Sequence, residues 1–314
     1  MAIEGIHHIT AITGDAPRNV DFYARVMGLR LAKKTVNQDD PTVYHLFYTD
    51  EIGSYGSDLT FFEYPGARGG RAGAGMVDRI VYRVGSADAL GYWEDRLAHE
   101  KITAERAGDT LRFDDPEGLG LELTVVERPD KPLIAHSFEV PDEYALLGFE
   151  AVRATVADVE SSERMLTDVM GLEPAGEHDW EARGELRGGR IVFEPGPATR
   201  GLQGAGTVHH VAWATDDALQ AELRQKIVAA GGRPTPVIDR FWFRSVYFRE
   251  PSGILYELAT PDPGFTVDES AETLGEKLVL PPDFEHMRDK IEATVTPLPE
   301  TRQWRRAAQS AERS

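Results

Sequence analysis

Two histidine doublets carry the strongest chemical signal in this sequence. The first is His7-His8, near the start of the chain, and the second is His209-His210, about two hundred residues later. The second doublet is followed by an acid, Glu257, inside an apolar run. Two imidazoles and one carboxylate form the ligand set of non-haem Fe(II) sites in oxygen chemistry. The doublets therefore predict a metal site, provided that the fold brings them together.

Strand geometry limits what each doublet can contribute. Neighbouring side chains of a strand point to opposite faces, so each doublet is predicted to place one histidine on a given face. The alternative for either doublet is a pair of interior or edge histidines with a structural role. Two doublets at the same point of two similar stretches favour the ligand role.

Glu257 lies between Tyr256 and Leu258 in a strand that is predicted to be mostly buried. A buried carboxylate needs a partner of opposite charge, because an isolated one is costly. A salt bridge to Arg249 across the hairpin is one solution. A divalent metal shared with His210 satisfies the charge better.

Other polar residues give weaker signals. Tyr247 alternates with Ser245 and Arg249 on the strand paired with Glu257, although a half-buried strand tyrosine is common. Arg240 precedes an aromatic run and is a candidate clamp for an anionic oxygen, with a surface role as the alternative. His45 is compatible with either face of its strand. Other acids and histidines have a structural interpretation or no supporting pattern: Glu122, Glu63 and His136.

The elements that must position these residues form four copies of one pattern, which is a strand, a helix and three strands. Apolar periodicity predicts the helices, and Gly28 and Gly171 end two of them as C-cap glycines do. Internal repetition of this kind is a fold-level signal. The pattern predicts an α+β fold of four βαβββ modules with the following divisions: residues 1–132 as an N-terminal domain, 145–262 as a C-terminal domain, and 263–314 as a tail with a short helix near 283–293 and a mobile end over 301–314.

Composition excludes several classes of function. The net charge of −19 argues against nucleic acid, which requires clustered Lys and Arg, and it gives no attraction to anionic membranes. The chain has no cysteine, so disulfides, thiolate metal sites and cysteine nucleophiles are excluded. No apolar stretch is long enough to span a membrane and no secretory signal is visible. A cytoplasmic location is expected, and a homo-oligomer is compatible with the sequence.

The two histidine doublets and the segment from Tyr247 to Glu257 together resemble the vicinal oxygen chelate superfamily. This superfamily includes glyoxalase I, extradiol dioxygenases and bleomycin-resistance proteins. Within it, the sequence is most similar to hydroquinone-type ring-cleaving dioxygenases. The resemblance runs from about Ile6 to Leu280. It implies two tandem glyoxalase-like domains, each with two βαβββ modules.

The resemblance also implies a site and a reaction. His8, His210 and Glu257 would bind Fe(II), less often Mn(II), and Zn(II) could occupy the site in a purified sample. His7, Tyr247 and Arg240 would lie beside the substrate. The partners would be a small aromatic molecule and dioxygen, and the reaction would be cleavage of a hydroquinone or catechol ring next to a hydroxyl.

Two other functions are compatible with the same fold. A glyoxalase-type isomerase or lyase normally uses an additional carboxylate from the partner module. The corresponding strand of this chain is Leu59–Phe62, which is expected to have aromatic residues where that acid would be, with Glu63 close by. A non-catalytic small-molecule binder or resistance protein generally lacks the complete ligand triad.

Overall fold

The four predicted repeats fold as four modules, each with one helix and four strands. The computed structural model describes residues 2–306. The first and fourth modules contain the following elements: β1 (Ile6–Thr13), α1 (Ala16–Val20), β2 (Arg30–Asn37), β3 (Asp40–Thr49), β4 (Asp58–Glu63), and β13 (Thr207–Ala214), α4 (Asp217–Ala229), β14 (Ile238–Asp239), β15 (Arg244–Arg249), β16 (Leu255–Ala259). The second and third contain the following: β5 (Met76–Val84), α2 (Ala87–His99), β6 (Ala104–Ala107), β7 (Thr110–Asp114), β8 (Gly120–Val125), and β9 (Phe149–Val156), α3 (Glu160–Arg164), β10 (Glu173–Gly176), β11 (Asp179–Arg183), β12 (Gly188–Pro195).

The helix of the first module illustrates how local sequence sets the element boundaries. Asp15 caps α1 by accepting a hydrogen bond from the amide of Arg18, and a π-helical turn over Asp21–Val26 extends the helix. Gly28 then adopts a φ of +71°, and a Cβ there would lie 2.7 Å from Val140. Only glycine satisfies both conditions easily, so it ends the helix as predicted.

The strands form two eight-stranded sheets, each built from modules of both halves of the chain. The first sheet has the order β14-β15-β16-β13-β1-β4-β3-β2, and the second has the order β10-β11-β12-β9-β5-β8-β7-β6. Antiparallel pairing of β1 with β13, and of β5 with β9, joins the modules at the centre of each sheet. The α+β fold of four modules is thus confirmed. The division at 1–132 and 145–262 stays a prediction, since each sheet crosses it.

The segment after residue 262 packs back onto the first sheet. It contains short helical turns: Phe265–Val267, Pro282–Met287, α5 (Arg288–Glu292) and Thr301–Trp304. The end of the chain was expected to be mobile over 301–314. Residues 301–306 instead pack on the body, where the amide of Phe138 donates to the carbonyl of Trp304 and Arg305 pairs with Glu51 at 2.7 Å. Residues 307–314 lie outside the described residues.

A buried lysine attaches this tail to the first module. Lys33 on β2 is fully buried, and its Nζ donates to Asp268 Oδ1 at 2.8 Å and to the Phe265 carbonyl at 3.1 Å. It also pairs with Glu269. Asp268 additionally accepts a hydrogen bond from Trp242 Nε1 at 3.1 Å. One cation therefore connects the first module, the tail and the aromatic segment of the fourth module.

Within residues 2–306, no helix has the length and apolar character needed to cross a membrane.

We expect Lys33→Met to lower the free energy of unfolding by about 3 to 5 kcal/mol, because two mostly buried carboxylates would lose their cation. Chemical denaturation measures this change. Lys34→Met is the control, since the Lys34 ammonium donates to the Glu276 carbonyl at 2.9 Å and forms no ion pair with a described residue. If both variants lose the same stability, the ion pair is not what holds the tail.

Candidate metal centre

Pairing of β1 with β13 sets the position of both histidine doublets. The register of this ladder slips by one residue at two places, where His7 and His209 are the extra residues of β-bulges. A bulge interrupts the regular alternation of side chains and re-aims them locally. The first histidine of each doublet therefore does not follow the strand pattern.

The bulges put both histidines of a doublet on the same side of the strand. The rings of His7 and His8 both pack against Phe243, with centroid distances of 5.7 and 5.2 Å. The rings of the second doublet both approach Phe62, at 5.6 and 6.5 Å. The prediction that each doublet sends its two histidines to opposite faces is wrong for this reason.

Three polar atoms from two modules converge at a buried point. His8 Nε2 lies 3.2 Å from Glu257 Oε2 and 3.3 Å from His210 Nε2. His210 Nε2 lies 3.0 Å from the same carboxylate oxygen. All three side chains are buried. The salt bridge between Glu257 and Arg249, considered as the alternative, does not form, because Arg249 donates to the Gly253 carbonyl instead.

The electrostatics of this cluster favour a charged carboxylate. Burial alone would raise the pKa of Glu257, but the neighbouring His8 and the close approach of both imidazoles hold the pKa well below its usual value. Burial lowers the pKa of His210, and Glu257 opposes this only in part. Burial also acts to lower the pKa of His8, but Glu257 and Asp58 outweigh it and raise the pKa.

The residues at this point fit a divalent metal. Ser245 Oγ donates to Glu257 Oε1 at 2.5 Å, whereas Glu257 Oε2 is buried without a hydrogen-bond partner of acceptable geometry. When three ligand atoms each lie about 2.1 Å from one metal ion, they are about 3.0 to 3.4 Å from one another. This range holds for ligand–metal–ligand angles between the octahedral and the tetrahedral value. The observed separations fall in this range. Two imidazoles and a carboxylate also match the donor set of non-haem iron.

Each of the two candidate ligand histidines has its neighbour as a hydrogen-bond partner. The Nδ1 atoms of His7 and His8 are 2.9 Å apart, and those of His209 and His210 are 2.8 Å apart. His7 Nε2 lies 3.2 Å from the Thr260 carbonyl, so it carries a hydrogen and His7 Nδ1 is the acceptor. Burial lowers the pKa of His7 to about 3, which keeps this ring neutral. The arrangement places a hydrogen on His8 Nδ1, so the neutral form of this ring has its lone pair on Nε2.

Tyr247 and Arg240 lie next to the triad, but Arg240 already has an anionic partner. The ring of Tyr247 stands 5.7 Å from that of His210. Arg240 lies over the Tyr247 ring at 5.5 Å and pairs with Asp39 at 2.9 Å. Burial, and then the charge of Glu257, raise the pKa of Tyr247, so the phenol keeps its hydrogen.

Two cavities adjoin the triad, and Trp242 and Phe243 line both of them. The smaller has a volume of about 30 Å³ and is lined by both candidate ligand histidines, His45 and Tyr247. The larger, of about 430 Å³, lies beside His7. The small cavity has room for a molecule the size of water. The larger one has a volume typical of small-molecule sites.

Sequence reasoning missed two buried polar residues of the larger cavity. Asp58 opens β4 beside His8, and burial raises its pKa to about 8. Arg187 precedes β12 in the third module. A pattern within one strand could not find them, since both reach the cavity only through pairing between distant segments.

The structure also shows which residue occupies the position of a fourth ligand. In the fourth module, Glu257 pairs with Ala212, which is two residues after His210. In the first module, Thr60 pairs with Thr10, which is two residues after His8. Thr60 is therefore the counterpart of Glu257 in the first module, and the expectation of an aromatic residue at this position is wrong because Phe61 and Phe62 are one and two residues further along β4. Its hydroxyl donates to Thr10 Oγ1 at 2.8 Å and lies 2.9 Å from His45 Nε2.

The remaining acids are engaged elsewhere. Glu63 accepts hydrogen bonds from the Ala16 amide at 3.2 Å and from Thr296 at 2.9 Å. Glu122 pairs with Arg112 at 2.7 Å and with Arg153 at 2.9 Å, in keeping with its expected structural role. Across residues 2–306, the cluster of three or more potential metal ligands is the one formed by His8, His210 and Glu257.

A family model for the Glyoxalase/Bleomycin resistance protein/Dioxygenase superfamily matches residues 5–123 and 148–258. The chain belongs to this superfamily. A solved structure of a dioxygenase, named provisionally, from Bacillus subtilis subsp. subtilis str. 168 is 40% identical, with a TM-score of 0.88 over 95% of this chain and 98% of that one. Glyoxalase I from Zea mays shares the fold, with a TM-score of 0.59 at 16% identity over 82% of this chain and 92% of that one.

Relatives from two organisms are similar over nearly the whole chain. A Bacillus subtilis (strain 168) protein with the provisional name ring-cleaving dioxygenase MhqO is 43% identical, over 93% of this chain and 96% of its own. The chlorohydroquinone/hydroquinone 1,2-dioxygenase of Sphingobium indicum is 33% identical, over 93% of this chain and 96% of its own. The predicted resemblance is confirmed by these matches.

We expect His210→Ala and Glu257→Ala to weaken metal binding by about a hundredfold or more, since each removes one of three ligands. Metal titration followed by elemental analysis after dialysis measures this. His99→Ala, an exposed histidine on α2, is the matched control and should bind as the parent does. Full metal occupancy in Glu257→Ala would contradict the assignment.

Proposed function

We propose that this protein is a metal-dependent dioxygenase that cleaves the ring of a hydroquinone or catechol-type aromatic with dioxygen. The observation that carries the proposal is the buried convergence of His8, His210 and Glu257 without a second carboxylate as a fourth ligand among residues 2–306. Similarity to ring-cleaving dioxygenases over 93% of the chain supports it. We further propose Fe(II) as the native metal, with Mn(II) as a functional substitute and Zn(II) as an occupant after purification.

A redox-active metal at this point would supply electron transfer between an electron-rich phenolate and dioxygen. His8, His210 and Glu257 would hold such a metal, and a site with three protein ligands would be accessible to both reactants. Glu257 offsets positive charge at the centre, and Ser245 fixes the orientation of its carboxylate. His7 orients His8 through the contact between their Nδ1 atoms.

Tyr247 is the group we assign to a substrate oxygen. Its phenol is protonated, borders the small cavity and stands beside His210, so it can donate a hydrogen bond to a developing negative charge. Arg240 lies over the Tyr247 ring and keeps positive charge on that side. His7 remains a proposed acid/base partner, and it would act by releasing its hydrogen bond to the Thr260 carbonyl.

The glyoxalase alternative is disfavoured by the residue at the fourth position. That chemistry normally uses an additional carboxylate from the partner module. Thr60 stands there, and Glu63 is bound to the Ala16 amide and to Thr296. The non-catalytic alternative is disfavoured by the complete triad.

We expect the protein, loaded anaerobically with Fe(II), to consume one dioxygen per hydroquinone or catechol and to place label from ¹⁸O₂ in the ring-opened product. Oxygen uptake and mass spectrometry measure this. The zinc form is the control, and it should be inactive because Zn(II) has no redox chemistry. Turnover of a glutathione hemithioacetal, without dioxygen consumption on any diol, would favour the glyoxalase alternative.

We expect Tyr247→Phe to keep its metal and lose about a hundredfold or more in kcat, as removal of a proton donor does. Tyr256→Phe is the matched control: it removes a buried hydroxyl without a hydrogen-bond partner from the neighbouring strand. Steady-state kinetics with metal analysis measures both. A fully active Tyr247→Phe would show that this phenol has no part in the reaction.

A further inference from the structure

The cavity beside His7 contains a buried arginine that lacks an acidic partner. Arg187 is 9% exposed, and its Nε is buried without a hydrogen-bond partner. Its Nη1 donates only a long hydrogen bond of 3.4 Å to the Lys131 carbonyl. No carboxylate of residues 2–306 forms an ion pair with it. A buried charge without a partner is costly, so an unpaired guanidinium in a cavity wall indicates a site for an anion.

The surroundings hold Arg187 in place without neutralising it. A Cβ on Gly56 would lie 2.5 Å from Arg187 Cδ, so this glycine makes room for the side chain. The guanidinium lies over the ring of Tyr55, 5.8 Å from its centroid. The nearby Asp130 is already engaged by Arg83 and Arg183. The position of Arg187 is therefore fixed by packing, and its charge stays available.

The rest of the cavity favours a ligand with an apolar body and an anionic end. Its apolar wall consists of the following residues: Ile52, Leu186, Trp242, Phe243, Pro261 and Phe265. The lining also contains two cationic residues, Arg187 and Lys131, and one acidic residue, Asp58. Asp58 Oδ1 is buried without a partner and is a suitable acceptor for a hydroxyl hydrogen.

This cavity is connected to the candidate centre through shared residues. His7 lines it and contacts His8, and Phe243 lines both this cavity and the smaller one. The smaller cavity, at about 30 Å³, has no room for an aromatic ring. An aromatic ring close to the triad would therefore have to occupy the larger cavity, whose lining includes both His7 and Arg187.

We propose that the cavity beside His7 binds a carboxylate-bearing substituent of the aromatic substrate, and that Arg187 is the residue that selects it. The proposal rests on the proposed function and narrows the substrate class to hydroquinones or catechols with an acidic side chain. Because the chain has a net charge of −19, binding of an anionic group depends on local cations such as Arg187 and Lys131.

The test compares 2,5-dihydroxyphenylacetate with its methyl ester, which has the same ring and hydroxyls but a neutral side chain with one more methyl group. With the Fe(II)-loaded parent, we expect kcat/KM to be about tenfold to a hundredfold higher for the acid, as for a hydrogen bond between charged groups. The ratio of kcat/KM for the acid to kcat/KM for the ester should fall towards one in Arg187→Met. This ratio should be partly retained in Arg187→Lys. Arg106→Met, an arginine on β6 of the second sheet, is the control and should keep the parent ratio.

Binding of phenylacetate to the metal-free protein provides a readout without turnover. Quenching of tryptophan fluorescence reports it, since Trp242 lines the cavity. We expect the dissociation constant to rise about tenfold or more in Arg187→Met. If the parent oxidises hydroquinones but treats acid and ester alike, the inference is overturned and the proposed function stands. If phenylacetate binding depends on Arg187 but no diol consumes dioxygen, the proposed function fails and the anion site stands.

Discussion

The antiparallel ladder between β1 and β13 is the interaction on which the candidate centre depends. His8 and His210 are 202 residues apart in the chain, and this ladder places their Nε2 atoms 3.3 Å apart. The two bulges in the same ladder then place a second imidazole beside each of the two histidines. Long-range pairing thus determines where the ligands meet, and a local irregularity determines how each ring is oriented.

The second sheet shows what the same scaffold does with different residues. Its central ladder between β5 and β9 has two register slips of the same kind, at Asp78 and Glu150. The positions that correspond to His8 and His210 hold Ala151 and Arg79, whereas Glu122 corresponds to Glu257.

The two matching glutamates therefore have different partners. Glu122 is neutralised by two arginines, and Glu257 lies against two imidazoles. A buried carboxylate needs one of these solutions. The side chains that meet the acid, rather than the fold itself, decide whether the centre of a sheet can hold a metal.

The sequence predicts the parts of this structure that are encoded locally. Alternation and helical periodicity predict the modules, and Gly28 marks a helix end because its φ is positive. The doublets predict that histidines from distant segments meet. Strict alternation, however, places the two histidines of each doublet on opposite faces of the strand, because nothing in a His-His pair indicates a bulge. Asp58 and Arg187 have no local signature, since each reaches the cavity through contacts between segments far apart in the chain.

The tail completes the wall of the larger cavity, which explains why the residues after the fourth module matter to the site. Phe265 of the tail lines the cavity, and its carbonyl accepts a hydrogen bond from Lys33. Trp242, which lines both cavities, donates to Asp268, and Asp268 is paired with the same lysine. A single buried cation of the first module thus fixes an aromatic wall made from the fourth module and the tail. Because Trp242 belongs to the lining of both cavities, the contact with Lys33 links the tail to the surroundings of the triad as well as to those of Arg187.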